Sequence, residues 1–288
     1  MKNLRKYGKA PFSVVVVHGG PGAAGEMKPV TLELSKTCGV LEPLQTATSI
    51  NGQIKELKNT LNKHAKLPVT LIGHSWGAWL SFIFTAKNPA FVKKLILVSS
   101  GPFEEKFTAR IQETRLKRLN KKDREEVSAI AEILNNPTTK DKNKALARYG
   151  TLLSKVDSFD PVKEKSEIIE CNAKIFQKVW KEAVKLRKSG NLLEFGKYIQ
   201  CPVIAIHGDY DPHPAEGIQK PLSHILKNFR FIPLLLTQRK RLASKERYST
   251  KTHISKEAGF ILLKNCEHTP WLEHKARDKF FRILKSEI

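Results

Sequence analysis

The chain has 288 residues, 40% of them hydrophobic and 27% charged, with a formal net charge of +23. This is the make-up of an ordinary globular protein, long enough for a large core and one inserted subdomain. It excludes a membrane-spanning helix, because no apolar run approaches about 18 residues. The wide spacing of Cys38, Cys171, Cys201 and Cys266 likewise signals neither a zinc site nor a disulfide framework.

Residues 1–6 are basic but lead into no apolar stretch, so no secretory signal is expected, and a cytoplasmic location with reduced thiols follows. The 51 Lys and Arg, against 28 Asp and Glu, are scattered along the chain. One reading is attraction to nucleic acid, anionic lipid or an acidic substrate. The other is a lysine-rich solvated surface, and it is preferred because no RNA-binding or helix-turn-helix pattern organises the charge. Neither a specific nucleic acid nor a membrane is expected as a partner.

The first element is the β-branched run 12–17, a strand buried on both faces, which ends in the loop His18-Gly19-Gly20-Pro21-Gly22. A helix over about 26–36, a weaker strand over 39–44 and a helix capped by Ser49 follow, the last with Ile54, Leu57 and Leu61 on its inner face. A strand over 68–74, a helix over 76–87 and a strand over 92–99 complete the first half. Strands alternating with helices of this length predict right-handed βαβ units in a doubly wound, mostly parallel α/β sheet.

From 102 to 199 the pattern is helical and heavily charged, with breaks at Asn135-Asn136-Pro137 and Asp160-Pro161. The strand over 202–206 then restores the sheet, and an amphipathic helix over about 271–284 closes the chain. Residues 1–101 and 200–288 thus read as a core, and 102–199 as a helical cap over the carboxyl edge of the sheet, where ligands of such folds bind.

One segment is surplus. Asp211 and His268 lie 57 positions apart, whereas one helix, one strand and their loops need only about 25–30 residues. The excess falls at 232–260, between the near-repeats Arg230-Phe231-Ile232 and Gly259-Phe260-Ile261. It reads as a basic surface insertion whose removal would join two halves of one plausible strand. Its apolar run 232–236 competes for the same sheet position, and Pro233 argues against that.

The most informative motif is Gly73-His74-Ser75-Trp76-Gly77, directly after a strand and before a helix. Small residues on both sides let the backbone pass through a tight turn that presents a serine as nucleophile. An unactivated hydroxyl needs a base and an oxyanion site. His268, after the last strand, is the candidate base. Asp211, in His207-Gly208-Asp209-Tyr210-Asp211-Pro212, is the preferred acid, with Asp209 as rival because it lies closer to the strand end. The N–H groups of Trp76 and of Gly20, with Gly19 second, are the oxyanion candidates. A metal could alternatively use His207, Asp209, Asp211 and His213, but no further ligand set converges there and no metal is expected. His18 and His74 read as loop-packing residues.

On these motifs the chain resembles the α/β-hydrolase superfamily over nearly its whole length. His18-Gly19-Gly20-Pro21-Gly22 with Gly73-His74-Ser75-Trp76-Gly77 looks most like the proline iminopeptidase branch. The resemblance implies an eight-stranded sheet, a helical cap, no cofactor, a Ser75–Asp211–His268 triad and an oxyanion hole at Gly20 and Trp76. The chain departs from it in four places. His74 stands where that branch usually has glycine. Only residues 1–17 precede His18, which predicts a shorter sheet lacking the usual opening strand pair. Glu267 replaces a frequent glycine, and the 232–260 segment separates acid from base.

The implied activity is hydrolysis of a small ester, thioester or short peptide, of carboxylesterase or iminopeptidase type, through an acyl-enzyme. Glu104 and Glu105 are available to meet a substrate ammonium. Trp76, Trp79, Phe103 and Trp180 line an acyl pocket or simply pack the core. A binding protein without activity is the alternative if the insertion keeps His268 from Ser75.

Overall fold

A computed structural model describes residues 3–162, 170–227, 229–231 and 259–288. The strands are β1 (Leu4–Tyr7), β2 (Phe12–Val17), β3 (Ala23–Ala24), β4 (Gly39–Pro43), β5 (Val69–His74), β6 (Val92–Val98), β7 (Glu170–Cys171), β8 (Val203–Gly208), β9 (Arg230–Phe231) and β10 (Gly259–Leu263). Eight form one sheet in the order β1-β4-β2-β5-β6-β8-β10-β9. Only β1 is antiparallel.

The sheet is therefore not short of its opening pair, as the few residues before His18 had implied. A four-residue β1 and the turn at Gly8 fit in that space, and β1 joins β4 at the edge rather than β2. The near-repeats also behave otherwise than as halves of one strand. Arg230 and Phe231 pair in parallel beside Gly259 and Phe260. Residues 259 and 260 thus belong to β10, and the rest of the 232–260 segment lies outside the described residues.

Alternation along the central strands sorts side chains onto two faces. Val14, Val16, Ile72, Ile96, Ile204 and Ile206 pack with α1 (Lys28–Leu34) and α10 (Arg277–Ser286). Val15, Val17, Leu71, Leu95 and Leu97 face α2 (Ile50–His64) and α3 (Trp76–Lys87). Ser49 caps α2 as expected, its side chain accepting from the Gly52 N–H at 3.1 Å. Every residue of α3 from Trp76 to Ala86 is buried, so this helix has no polar face to reveal it and is held wholly by packing.

Between β6 and β8 the chain leaves the sheet for α4 (Ala109–Arg118), α5 (Lys121–Asn135), α6 (Asn143–Asp157), α7 (Ala173–Lys188) and α8 (Asn191–Glu194). This cap has a small core of its own, including Ile130, Leu134, Leu146 and Leu152. It touches the loop after β2 through β7, which pairs with β3, and through Asn172 N–H donating to the Gly22 carbonyl at 2.7 Å. After β8 comes α9 (Glu216–Ile225).

The closing helix starts later than its sequence pattern suggests. Pro270–Leu272 make a single 3-10 turn and α10 begins at Arg277. The backbone between them is drawn out by the cap. Val162 N–H donates to the Leu272 carbonyl, His274 N–H to Asp160, and the Glu273 carboxylate takes the N–H groups of Phe159 and Asp160.

Candidate active site

Ser75 sits between β5 and α3 with φ +51° and ψ −113°. That is a left-handed conformation for a residue with a side chain, a strain of about 1–3 kcal/mol that only a fixed surrounding sustains. The flanking glycines are required by contact. A Cβ on Gly73 would lie 2.2 Å from the Gly77 carbonyl oxygen, and one on Gly77 would lie 2.4 Å from the carbonyls of Val17 and His18.

The residues proposed from sequence as nucleophile, base and acid come together at the carboxyl ends of β5, β10 and β8. His268 Nε2 is 3.0 Å from Ser75 Oγ, and His268 Nδ1 is 2.8 Å from Asp211 Oδ2. With Asp211 ionised, Nδ1 carries the proton and Nε2 is free to accept one. Burial lowers the His268 pKa; the Asp211 charge only partly opposes this, and the ring stays in its neutral, proton-accepting form. For Asp211, burial would raise the pKa. The histidines His268, His207 and His213 outweigh it and hold the carboxyl well below its usual range.

His213 was missed as a member of this group. Its backbone N–H and its Nδ1 both meet Asp211 Oδ1, at 2.9 and 2.7 Å, and its ring stacks on His268 at 4.5 Å. The Asp-x-His spacing is the signal: two residues on, a side chain and its own amide can bond one carboxylate. Asp211, His213 and His268 also have ligand atoms within 4.8 Å of one another, but each carboxylate oxygen is already engaged by one ring.

In the loop after β2 the Gly19 N–H donates to Glu26 Oε1 at 2.6 Å and is thereby occupied. Gly20, at φ +41°, keeps its N–H free of any acceptor among the described residues. Trp76 N–H is the first amide of α3, in the turn where N–H groups have no intrahelical acceptor. The same Glu26 oxygen meets His74 Nδ1 at 2.6 Å, and His74 Nε2 faces the His268 carbonyl at 3.0 Å. Glu26 carries no sequence signal, since it lies outside every motif. His74 carried one, as the residue standing where glycine is usual.

Residues 46–230 match the family model described as the alpha/beta hydrolase fold. The chain belongs to the α/β-hydrolase fold family. Solved structures of this fold cover nearly all of it. VinJ superposes with a TM-score of 0.65 at 16% identity, over 99% of this chain and 95% of its own. Est816, described as an N-acyl homoserine lactone degrading enzyme, gives 0.59 at 14% identity, over 99% and 96%. The monoacylglycerol lipase of Paleococcus ferrophilus gives 0.55 at 16% identity, over 98% and 95%. No curated protein sequence matches the chain.

Other candidates of this α/β-hydrolase chain have different partners. Asp209 accepts from Cys266 N–H and pairs with Lys264 at 3.4 Å, so it shapes the loop rather than meeting the His268 ring. Glu267 is buried and takes the Thr269 hydroxyl, and burial pushes its pKa up to about 8. Trp76, Trp79 and Phe103 are core residues; Trp180 stacks on Trp79 at 5.9 Å and remains 36% exposed. Glu105 pairs with Arg187 at 2.8 Å and Glu104 with Lys106 at 3.0 Å. A surface cavity of about 310 Å³ borders Asp211 between Arg110 and Arg118, and another of about 440 Å³ opens in the cap beside Lys140 and Lys178; Ser75 lines neither.

Proposed function

We propose that the protein is a serine hydrolase that cleaves carboxylic esters or thioesters of small substrates through an acyl-enzyme on Ser75. One observation carries this reading: an unbroken hydrogen-bonded chain from Ser75 Oγ through His268 to Asp211, at a backbone turn strained to present the serine. In the first half-reaction His268 Nε2 takes the hydroxyl proton as Oγ adds to the carbonyl carbon. The new imidazolium is held by Asp211, and the oxyanion is met by the N–H groups of Gly20 and Trp76. His268 then gives its proton to the departing alkoxide or thiolate, leaving the acyl group on Oγ. Water repeats the sequence in reverse, and no cofactor is called for.

Esters are favoured over N-terminal peptides by the cap. An aminopeptidase must neutralise a substrate ammonium with spare carboxylate, and both Glu104 and Glu105 already face cations. Two proteins of the same fold are described as an N-acyl homoserine lactone degrading enzyme and a monoacylglycerol lipase, and lactones and acylglycerols are carboxylic esters. Among the described residues no helix is long and apolar enough to cross a membrane.

A fluorophosphonate probe should label the wild-type protein and not Ser75→Ala. Hydrolysis of p-nitrophenyl butyrate should then exceed that of a prolyl arylamide. The reverse preference would return the iminopeptidase reading, and an unlabelled wild-type protein would mean a binding protein on a hydrolase fold.

A further inference from the structure

Three of the parts assigned above lie on separate loops: the oxyanion donors after β2, the nucleophile after β5 and the base after β10. Gly19 N–H donates to Glu26 Oε1 at 2.6 Å, His74 Nδ1 meets the same oxygen at 2.6 Å, and His74 Nε2 meets the His268 carbonyl oxygen at 3.0 Å. His74 is the residue immediately before Ser75. One chain of four groups therefore touches all three loops. We propose that Glu26 and His74 are a positioning pair that holds the oxyanion loop, the nucleophile and the base in mutual register, a role that rests on the serine-hydrolase reading.

The chemistry of the ring supports a charged pair. Both nitrogens of His74 face oxygen atoms, a carboxylate and a carbonyl, and neutral imidazole has only one N–H to offer. Two donors require the imidazolium, and Glu26 supplies its counter-charge. The side chains are 2% and 18% exposed, so water cannot replace either bond on the His74 side. Burial lowers the His74 pKa, and the Glu26 carboxylate more than reverses it; burial raises that of Glu26, and His74 brings it down to about 2. The other groups around the pair are His18, neutral through burial, the Asp211 carboxylate, which also favours the imidazolium, the Glu42 carboxyl on the Glu26 side, the His268 ring at 4.9 Å and Trp271, whose ring stands edge-on at 4.8 Å. Neither Glu26 nor His74 hydrogen-bonds to Ser75 Oγ or to the His268 ring nitrogens; the hydrogen bonds the pair makes outside itself go to the Gly19 N–H and the His268 carbonyl, and the His74 charge beside the His268 ring helps keep that ring neutral.

The position matters because a reacting geometry misplaced by about 1 Å can lose about a hundredfold in rate. Glu26→Gln keeps the shape and an acceptor for Gly19 N–H but removes the charge that holds His74 protonated. For p-nitrophenyl butyrate we expect kcat to fall about tenfold to a hundredfold, with KM within twofold and the circular dichroism spectrum retained. A purely structural pair would lower the melting temperature and leave kcat at permissive temperature unchanged, which overturns the proposal. The ¹⁵N spectrum of the wild-type imidazoles is the second measurement, needing neither variant nor turnover: His74 should be an imidazolium at pH 7, and a neutral ring overturns the pair. Failure of the hydrolase reading looks different, because the wild-type protein itself then takes no fluorophosphonate, and the positioning role falls with it.

Discussion

Two carboxylates are withdrawn from water at opposite sides of the cap–core boundary, and their partners differ in kind. Asp157, at the end of α6, is 5% exposed and is gripped by Arg115 of α4 through contacts of 2.5 to 3.1 Å. Asp211, at the sheet edge, is fully buried among His207, His213 and His268. A guanidinium keeps its proton at every pH a fold survives, so the Asp157 pair can only hold two helices together. An imidazole exchanges its proton near neutrality, so the Asp211 cluster can hold a loop and also pass a proton. The same need, a partner for a buried charge, is met with a fixed charge in the cap and with titratable ones at the sheet edge.

Replacing Asp211 by Asn tests the contrast most severely. The amide keeps the volume but no longer selects the Nδ1–H tautomer of His268, and a loss of about 10⁴-fold in ester hydrolysis is expected with the fold intact. Asp209→Asn should stay within about threefold, because its carboxylate meets Cys266 N–H and Lys264 and not the ring. Parallel kinetics on the two variants decide the matter; equal losses would remove Asp211 from its assigned place.

Arg115→Ala is the matching change in the cap. It strands Asp157 without its ion-pair partner, and the loss expected is about 3 kcal/mol in denaturant unfolding. Labelling of Ser75 at low temperature should persist. A loss confined to labelling, with stability unchanged, would place Arg115 in the reaction instead of the scaffold.

Glu267 lies between the two regions, one residue before His268 and near Glu273 and Asp157. Its folded pKa of about 8 lies above the ordinary value of 4.5, so the folded protein holds a proton there that the unfolded chain has released. The neutral form's advantage is complete at low pH and is lost as pH rises from about 4.5 towards 8. Glu267→Gln cannot ionise. It should melt above the wild type at pH 8.5, with the gap closing at pH 5. A gap that widened on acidification would show that Glu267 is ionised in the fold.

The sheet was legible because strand alternation and βαβ spacing are local and repeated. The run Val14–Val17 and the Gly73–Gly77 turn each announce what they do. The strand-end positions of Ser75, Asp211 and His268 were legible through chain order, each standing just past a strand. Glu26 was not, because it lies outside every motif and its partner His74 is 48 positions away, so nothing local marks the pairing. The late start of α10 was hidden for a similar reason: Glu273 is a good helix residue, and only the cap backbone it binds prevents a helix there. Arg115 and Asp157 are two among many charges of an amphipathic region, and amphipathicity does not say which of them pair.

The mildest change should be the largest in residues removed. We propose that 232–260 is an insertion the core does not need. Seven Lys or Arg stand there against Glu246 and Glu257, and burying so many unmatched cations would cost far more than packing returns. Deleting 232–260 joins Phe231 to Ile261. Phe231 is already opposite Phe260 in the β9–β10 register, so it can take the Phe260 place with Arg230 at the Gly259 place, and β9 merges into β10. Loop-closure entropy changes slowly with length, so shortening this connection adds little either way. The variant should fold, and its fluorophosphonate labelling should stay within about twofold of wild type, since no described contact of Ser75, Asp211 or His268 comes from the deleted stretch. Measured side by side with Asp211→Asn, a soluble, labelled deletion variant would separate the sheet edge from the insertion. An unfolded one would make the segment part of the core, beyond the eight strands of the main sheet among the described residues.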